Sequence, residues 1–262
     1  VFEGAGTINT QQFRNDTRIK SVQVSEGITS LGDQYSYLFM SCKNLTSVTL
    51  PESLTNIGEM SFYGCENLKN INIPSGVTSI GGSAFNGCKS LRGSINIPTG
   101  VTSIESYTFY QCEGLSSVVL PDGLISIGEN AFYNCKNLTS IHIPDGVTSI
   151  ENSTFENCEK LKNVNIPAGV TSIGVRAFDT CESLESVTLP ENLTSIKSYA
   201  FLRCKSIESL VIPDKLTSTD IGDGVFAGCS NLRSVILPKG LTAIKKEMFS
   251  GCSRLTDIVL PE

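Results

Sequence analysis

The sequence has no tryptophan and only one histidine, His142, in 262 residues. None of its cysteines lies within the short C-x₂₋₄-C spacing of a zinc-binding pair, and its glycines form no phosphate-binding loop. No apolar run approaches the roughly 18 residues of a membrane span. The net charge of −6 disfavours the phosphate backbone of a nucleic acid as a partner. We therefore expect no cofactor, no metal, no nucleic-acid partner and no membrane span in this chain.

Repetition is what the sequence has instead. Its ten cysteines recur every 23 residues, apart from one interval of 24 and one of 25. The ten prolines keep the same period, and ten of the twelve phenylalanines lie three residues before a cysteine. A representative unit is LTSIHIPDGVTSIENSTFENCEK, residues 138–160, and ten such units span residues 19–254. Insertions of three, one and two residues fall before Phe39, in the unit that starts at Leu91 and in the unit that starts at Ile207. A fixed period of this length is typical of a solenoid.

Each unit predicts one turn of an α/β repeat solenoid. The opening L-x-x-[VI]-x-[LI] alternates buried and exposed positions as a strand does, and the following proline ends that strand. A second apolar pair, such as Val77 and Ile80, predicts a short return strand. The [AST]-F-x-x-C segment places phenylalanine and cysteine on one face of a helical or 3₁₀ turn. Stacked units then build a parallel strand ladder, leucine and isoleucine ladders, and a spine of phenylalanines.

Two flanking segments do not fit the full unit. Residues 1–18 precede the array, and we expect them to form an N-terminal capping segment in which Phe2 and Phe13 cover the first turn. Residues 255–262 match the first eight positions of an eleventh unit, so that the solenoid spans 19–262. Since the end of a solenoid exposes its core, we expect that the chain continues or that another molecule covers this end, for example by end-to-end contact.

The combination of I-P-x-G-V-T-S-I with A-F-x-x-C resembles the 23-residue leucine-rich repeats of the BspA-like family. The resemblance covers residues 19–262. It implies a right-handed horseshoe with the strand ladder on its concave face and short strands and turns on its convex side. It also implies a cell-surface or secreted protein that binds host proteins or neighbouring cells. The ladder of asparagine or cysteine that other leucine-rich repeats carry at their ninth position is absent here, because that position is glycine, serine, asparagine or lysine.

Cysteine and histidine are the residues whose chemistry needs an interpretation. Adjacent turns would bring cysteine Cα atoms to about 5 Å, which permits a disulfide, but burial beside a phenylalanine spine also suits a small apolar thiol. The structural ladder is the favoured reading, with disulfides or redox chemistry as the alternative. His142 lies at the fifth position of its strand, beside Val119 and Asn165, which form neither a triad nor a metal site. We therefore predict that the chain is not an enzyme.

The exposed face of the strand ladder is the candidate binding surface. Its fifth-position residues form a row of mostly small polar side chains, which suits an adaptable protein-binding surface and equally a solvated sheet. The row consists of Thr49, Asn72, Asn96, Val119, His142, Asn165, Thr188, Val211, Ile236 and Val259. Its last three members form an apolar stripe, which we expect to contact a partner, a following domain or a second copy of the chain. The alternative function is a structural spacer that presents another domain.

The residue after each cysteine alternates in charge along most of the array. Opposite charges on successive turns would disfavour a shift of the stacking register by one turn. Exposed charges that alternate by chance explain the pattern equally well. The residues concerned are Lys43, Glu66, Lys89, Glu113, Lys136, Glu159, Glu182 and Lys205.

Overall fold

The computed structural model describes residues 5–8, 11–32 and 37–259, so that Phe2 lies outside the described part of the chain. The described residues form a parallel-strand solenoid of about eleven turns, here called rungs. In chain order the strands are β1 (Gly6–Ile8), β2 (Ser21–Gln23), β3 (Ile28–Leu31), β4 (Ser47–Thr49), β5 (Asn56–Ile57), β6 (Ser79–Ile80), β7 (Gly93–Asn96), β8 (Ser103–Ile104), β9 (Leu115–Val119), β10 (Ser126–Ile127), β11 (Ser140–His142), β12 (Ser149–Ile150), β13 (Asn163–Asn165), β14 (Ser172–Ile173), β15 (Ser195–Ile196), β16 (Ser209–Val211), β17 (Ser234–Ile236) and β18 (Asp257–Val259).

The strands stack in two rows, because each 23-residue unit contributes a first strand before its proline and a second strand after it. The first row contains β2–β4, then β7–β9–β11–β13, then β16–β17–β18. The second row contains β1–β3–β5–β6, then β8–β10, then β12–β14–β15. All pairs are parallel and join equivalent positions, so that His142 lies opposite Asn165. This register confirms the predicted ladder.

The one-residue insertion in the unit that starts at Leu91 becomes a β-bulge. Gly93 pairs with Leu115, but the next pair joins Ser94 to Ser117. Gly93 has a φ of 81°, a left-handed conformation that glycine adopts without strain. The ladder thus absorbs the extra residue locally and keeps its register beyond it.

The segment around the phenylalanine and cysteine of each rung, here called the turn side, differs from the predicted helical or 3₁₀ turn. No helix is present among the described residues, and successive β-turns run around each phenylalanine instead. The Asn86 N–H donates to Ser83 C=O at 3.1 Å and the Cys88 N–H to Phe85 C=O at 3.1 Å, within one rung. The Phe85 N–H, however, donates to Thr108 C=O of the next rung at 2.9 Å. In a helix every backbone N–H would donate to a carbonyl of the same rung, whereas here alternate N–H groups donate to a carbonyl of the next rung.

The backbone conformation explains why no helix forms. The residues two before and two after the phenylalanine have positive φ in nearly every described rung, for example Tyr107 at 61° and Gln111 at 56°. A left-handed residue other than glycine costs about 1–2 kcal/mol, so the inter-rung hydrogen bonds must offset that cost. Tyrosine and glutamine do not signal such a conformation, and the prediction of a helical turn was therefore wrong.

The core consists of continuous ladders of equivalent residues. The leucines at the first position of each unit, such as Leu68 and Leu91, are fully buried, and so are the isoleucines of the second strands, such as Ile57. These positions confirm the predicted leucine and isoleucine ladders. Because each side chain packs on its equivalents in the two adjacent rungs, no single rung could bury its apolar face alone.

The phenylalanine spine is a stack of eleven rings that runs from Phe13 to Phe249. Neighbouring ring centroids are 5.2–5.9 Å apart, and the planes of Phe132 and Phe155 differ by only 1°. Offset stacking of this kind is a favourable aromatic geometry. Phe13 stacks on Phe39 at 5.8 Å, although it lies outside the regular series in the sequence.

We expect the position of a ring within the stack to set its contribution to stability. Phe132→Ala removes a fully buried ring with two stacked neighbours and should lower the free energy of unfolding by about 3–5 kcal/mol. Phe249→Ala, at the end of the described stack and only partly buried, should cost clearly less. Urea denaturation followed by circular dichroism measures both, and equal losses would contradict the model of a cumulative stack.

Candidate functional site

The fifth-position residues of the first strands lie side by side on one exposed surface, here called the strand face. Every member of the predicted row is exposed, including the apolar ones: Val119 at 53%, Val211 at 58%, Ile236 at 48% and Val259 at 58%. The strands hold these side chains outward because the residue between positions three and five is buried, as in β11 and β13. The structure therefore brings together all ten predicted residues: Thr49, Asn72, Asn96, Val119, His142, Asn165, Thr188, Val211, Ile236 and Val259.

Two shallow clefts interrupt the strand face. Among the described residues, the first-strand ladder has no pairing between Asn70 and Ser94 or between Ser186 and Ser209. A cleft of about 390 Å³ opens at the first interruption and is lined by Asn72 and Asn96. A second cleft, of about 300 Å³, opens at the other and is lined by Thr188 and Val211. The strand face is thus a row with two recesses rather than a flat sheet.

His142 has neighbours that offer no catalytic or metal-binding partner. It is exposed in β11 and lies opposite Asn165 of β13. Among residues 5–8, 11–32 and 37–259, no three histidine, cysteine, aspartate or glutamate side chains are grouped so that they could hold a metal ion. Asn165, which lies opposite His142, is neither a carboxylate that could orient the imidazole as in a catalytic triad nor a metal ligand.

The cysteines form a hydrogen-bonded ladder along the phenylalanine spine. Each thiol donates to the backbone carbonyl of the phenylalanine in the preceding rung, as from Cys135 Sγ to Phe109 O at 3.2 Å. All ten cysteines make this contact, at Sγ–O distances of 3.0–3.3 Å. In the first described rung, Asp16 stands where the cysteine would be, and Phe13 O accepts the thiol of Cys42. The thiols therefore support the fold as weak donors to carbonyls.

Burial makes these thiols poor nucleophiles. All ten cysteines are free; nine are buried and Cys252 is half-buried. Loss of solvation raises the pKa of every one of them, and the pKa of Cys42 rises to about 11. Because the thiolate is the reactive form, the interior of the solenoid protects the cysteines from disulfide exchange and alkylation. The reading of the cysteines as a structural ladder agrees with both observations.

We expect thiol reactivity to follow burial. Treatment of the folded protein with 5,5′-dithiobis(2-nitrobenzoic acid) at mildly alkaline pH should label Cys252 first, with the buried thiols reacting at least about 100-fold more slowly. Peptide mass spectrometry identifies the labelled site, and Cys252→Ser should remove the fast phase. Rapid labelling of several interior cysteines without unfolding would contradict the buried ladder.

Opposite charges after the cysteines meet at some rungs but not along the whole array. Among the described residues, three of the predicted neighbours form ion pairs, and these pairs are separate rather than continuous. They are Lys43–Glu66 at 3.1 Å, Glu113–Lys136 at 4.0 Å and Glu182–Lys205 at 2.7 Å. Exposed pairs of this kind contribute at most about 1 kcal/mol each, so any effect on register is small.

A buried acidic pair on the turn side was not predicted from the sequence. Glu156 and Asp179 occupy equivalent positions in adjacent rungs, and burial raises the pKa of both. Arg176 Nη1 lies 3.2 Å from Asp179 Oδ2 and 3.9 Å from Glu156 Oε1. Ser153 donates to Glu156 and Thr180 donates to Asp179. The only signal in the sequence is that both acids directly follow a spine phenylalanine. Arg176 and one hydroxyl of the chain itself contact each carboxylate, so we interpret the cluster as structural.

A parallel-strand solenoid with one leucine, proline, phenylalanine and cysteine per 23-residue rung is a leucine-rich-repeat protein. The family model described as "BspA type Leucine rich repeat region (6 copies)" matches residues 3–112, 35–162, 92–208 and 148–262. The chain therefore belongs to the BspA-type leucine-rich-repeat family. A search of curated protein sequences found no match to the chain.

Solved structures of bacterial leucine-rich-repeat proteins are similar over nearly the whole chain. A leucine-rich cell-surface protein of Faecalibacterium prausnitzii is 28% identical, with 98% of this chain and 85% of that one covered and a TM-score of 0.54. A leucine-rich-repeat protein of Bacteroides ovatus is 25% identical, with coverage of 96% and 81% and a TM-score of 0.58. The pneumococcal vaccine antigen PcpA, 20% identical, shares the fold with a TM-score of 0.59 over 97% of this chain and 73% of that one.

Among the described residues, no helix is long and apolar enough to cross a bilayer.

Proposed function

We propose that this chain is a non-catalytic module of a cell-surface or secreted protein and that its strand face binds another protein. The observation that carries the proposal is the row of ten exposed fifth-position side chains, which presents amide, hydroxyl, imidazole and apolar groups in one line. The two clefts supply recesses in which a partner's side chains could be buried. The Faecalibacterium relative, named as a cell-surface protein, supports the location.

The composition of the row changes along the solenoid, and this change supports a polarised interface. Apart from Val119, its first seven members are polar, whereas its last three members are apolar. Val211, Ile236 and Val259 pair in register in β16, β17 and β18 and form a continuous stripe. Such a stripe favours contact with a partner, since a free surface gains nothing from aligned aliphatic side chains.

A structural spacer is the second candidate function. The continuous core and the stacked spine would make a stiff rod, and serine and threonine on the strand face also suit a surface in contact only with water. A spacer would hold another domain away from its attachment point and would be indifferent to changes on its strand face.

Substitution of the polar strand face separates the two functions. The chain is first tested by surface plasmon resonance against a panel of purified extracellular-matrix proteins and glycans. Combined Asn72→Ala, Asn96→Ala, His142→Ala and Asn165→Ala should then weaken binding to a protein hit at least about ten-fold, because these side chains would contact it directly.

The control changes three exposed side chains that each immediately precede a second strand. Thr102→Ala, Ile125→Ala and Thr148→Ala lie outside the strand face, are exposed and should leave binding unchanged. Unchanged affinity in the strand-face variant would contradict the proposed interface, and binding to no protein in the panel would favour the spacer.

A further inference from the structure

A notch opens on the turn side of the solenoid at two consecutive glycines, Gly81 and Gly82. Gly82 lies three residues before Phe85, and the equivalent positions of the adjacent rungs carry Glu59 and Ser106. Because Gly82 contributes no side chain, a recess of about 580 Å³ lies between the rungs on either side. This notch is separate from the strand face and does not share its residues.

Two acidic residues, Glu59 and Glu105, line the notch. Gly81 packs so closely on the backbone of Glu59 that a Cβ there would lie 2.5 Å from Glu59 N. On the other side, a Cβ at position 82 would lie 3.9 Å from Glu105 Cβ. Within the described part of the chain, neither carboxylate forms an ion pair, and Glu105 accepts only a hydrogen bond from Ser103 at 2.7 Å. The notch therefore presents two negative charges without a compensating cation.

The floor and wall of the notch add polar and aromatic groups. Ser83 lines it and is only 8% exposed, yet its hydroxyl has no hydrogen-bond partner among the described residues. The Asn86 side-chain amide lines the same recess and is equally without a partner in the described chain. The Tyr107 ring forms part of the wall and is 39% exposed. Among the described residues, Ser195 Oγ is the only fully buried side-chain oxygen without a partner, so the Ser83 hydroxyl is open to the notch and can bond to a group that enters it.

We propose that this notch binds the guanidinium group of an arginine side chain from a partner protein. The planar guanidinium carries several N–H donors, which match the Glu59 and Glu105 carboxylates, the Ser83 hydroxyl and the Asn86 carbonyl oxygen. Its face can also stack on the exposed Tyr107 ring, a contact that a small metal ion would not use. The notch would thus add a basic anchor to whatever surface the partner presents.

The test uses the whole chain and a defined probe. An acetyl-Gly-Arg-Gly-amide peptide is titrated into the ¹⁵N-labelled protein at low salt, and amide shifts are followed by NMR. We expect saturable shifts at Gly82 and Ser83, with a Kd on the order of 1 mM for a single side chain. The corresponding citrulline peptide, which lacks the charge, should produce no saturable shift, and the lysine peptide should bind more weakly.

Two variants and one control decide the outcome. Glu59→Gln with Glu105→Gln should weaken arginine binding about ten-fold, whereas Glu185→Gln with Glu191→Gln, the same change in net charge at exposed sites elsewhere, should not. Gly82→Asn fills the notch with the side chain found at the equivalent Asn152, so it should abolish the shifts while circular dichroism stays unchanged.

Three results would overturn the proposal. The first is equal loss of arginine binding in the notch variant and the charge control. The second is retained binding in folded Gly82→Asn. The third is a response of the Gly82 and Ser83 amides to calcium chloride but not to the arginine peptide. None of these depends on the strand face, so the proposed function is tested separately.

Discussion

Hydrogen bonds between equivalent backbone positions of successive rungs are the constraint on which the rest of this structure depends. On the strand side they join β11 to β13 in register. On the turn side they join the amides of the spine phenylalanines from Phe39 to Phe226 to the next rung, as from Phe85 to Thr108. Because these bonds fix the distance between rungs, a residue in one unit must pack on its counterpart in the next. Ring stacking, the thiol ladder and the exposed row all follow from this spacing.

The same constraint separates residues that build the solenoid from residues that are free to act. Cysteine would be the first candidate for chemistry in an acidic chain with one histidine, yet every thiol is committed to a carbonyl of the preceding rung. The residues that remain available to bind a partner are those that do not take part in the stacking. They lie at the fifth position of the first strand, which points outward, and at the place where Gly82 interrupts a row of side chains.

Much of the fold and the placement of the candidate site could be predicted from the repeat. Alternation in the first strand predicted that His142 and its counterparts are exposed, and the shared period predicted that they lie in one row. The turns could not be predicted, because a tyrosine or a glutamine with positive φ looks in the sequence like a helix former. The stacking of Phe13 on Phe39 could not be predicted for a similar reason: Asp16 stands in place of the cysteine that marks every later rung, so the spacing signal of the stack is lost there.

By itself, the sequence determined the period, the identity of the core residues and the membership of each row, since these depend only on which residues recur every 23 positions. Tertiary structure decided what lies between the rows. Clefts lie beside Asn72 and Thr188, where the first strands are not paired, and a notch lies at Gly82. Glu156 and Asp179 are buried in adjacent rungs. The physical reason is that a recess or a buried pair arises from two or three neighbouring rungs at once. A repeat pattern describes one rung at a time and carries no information about the space between them.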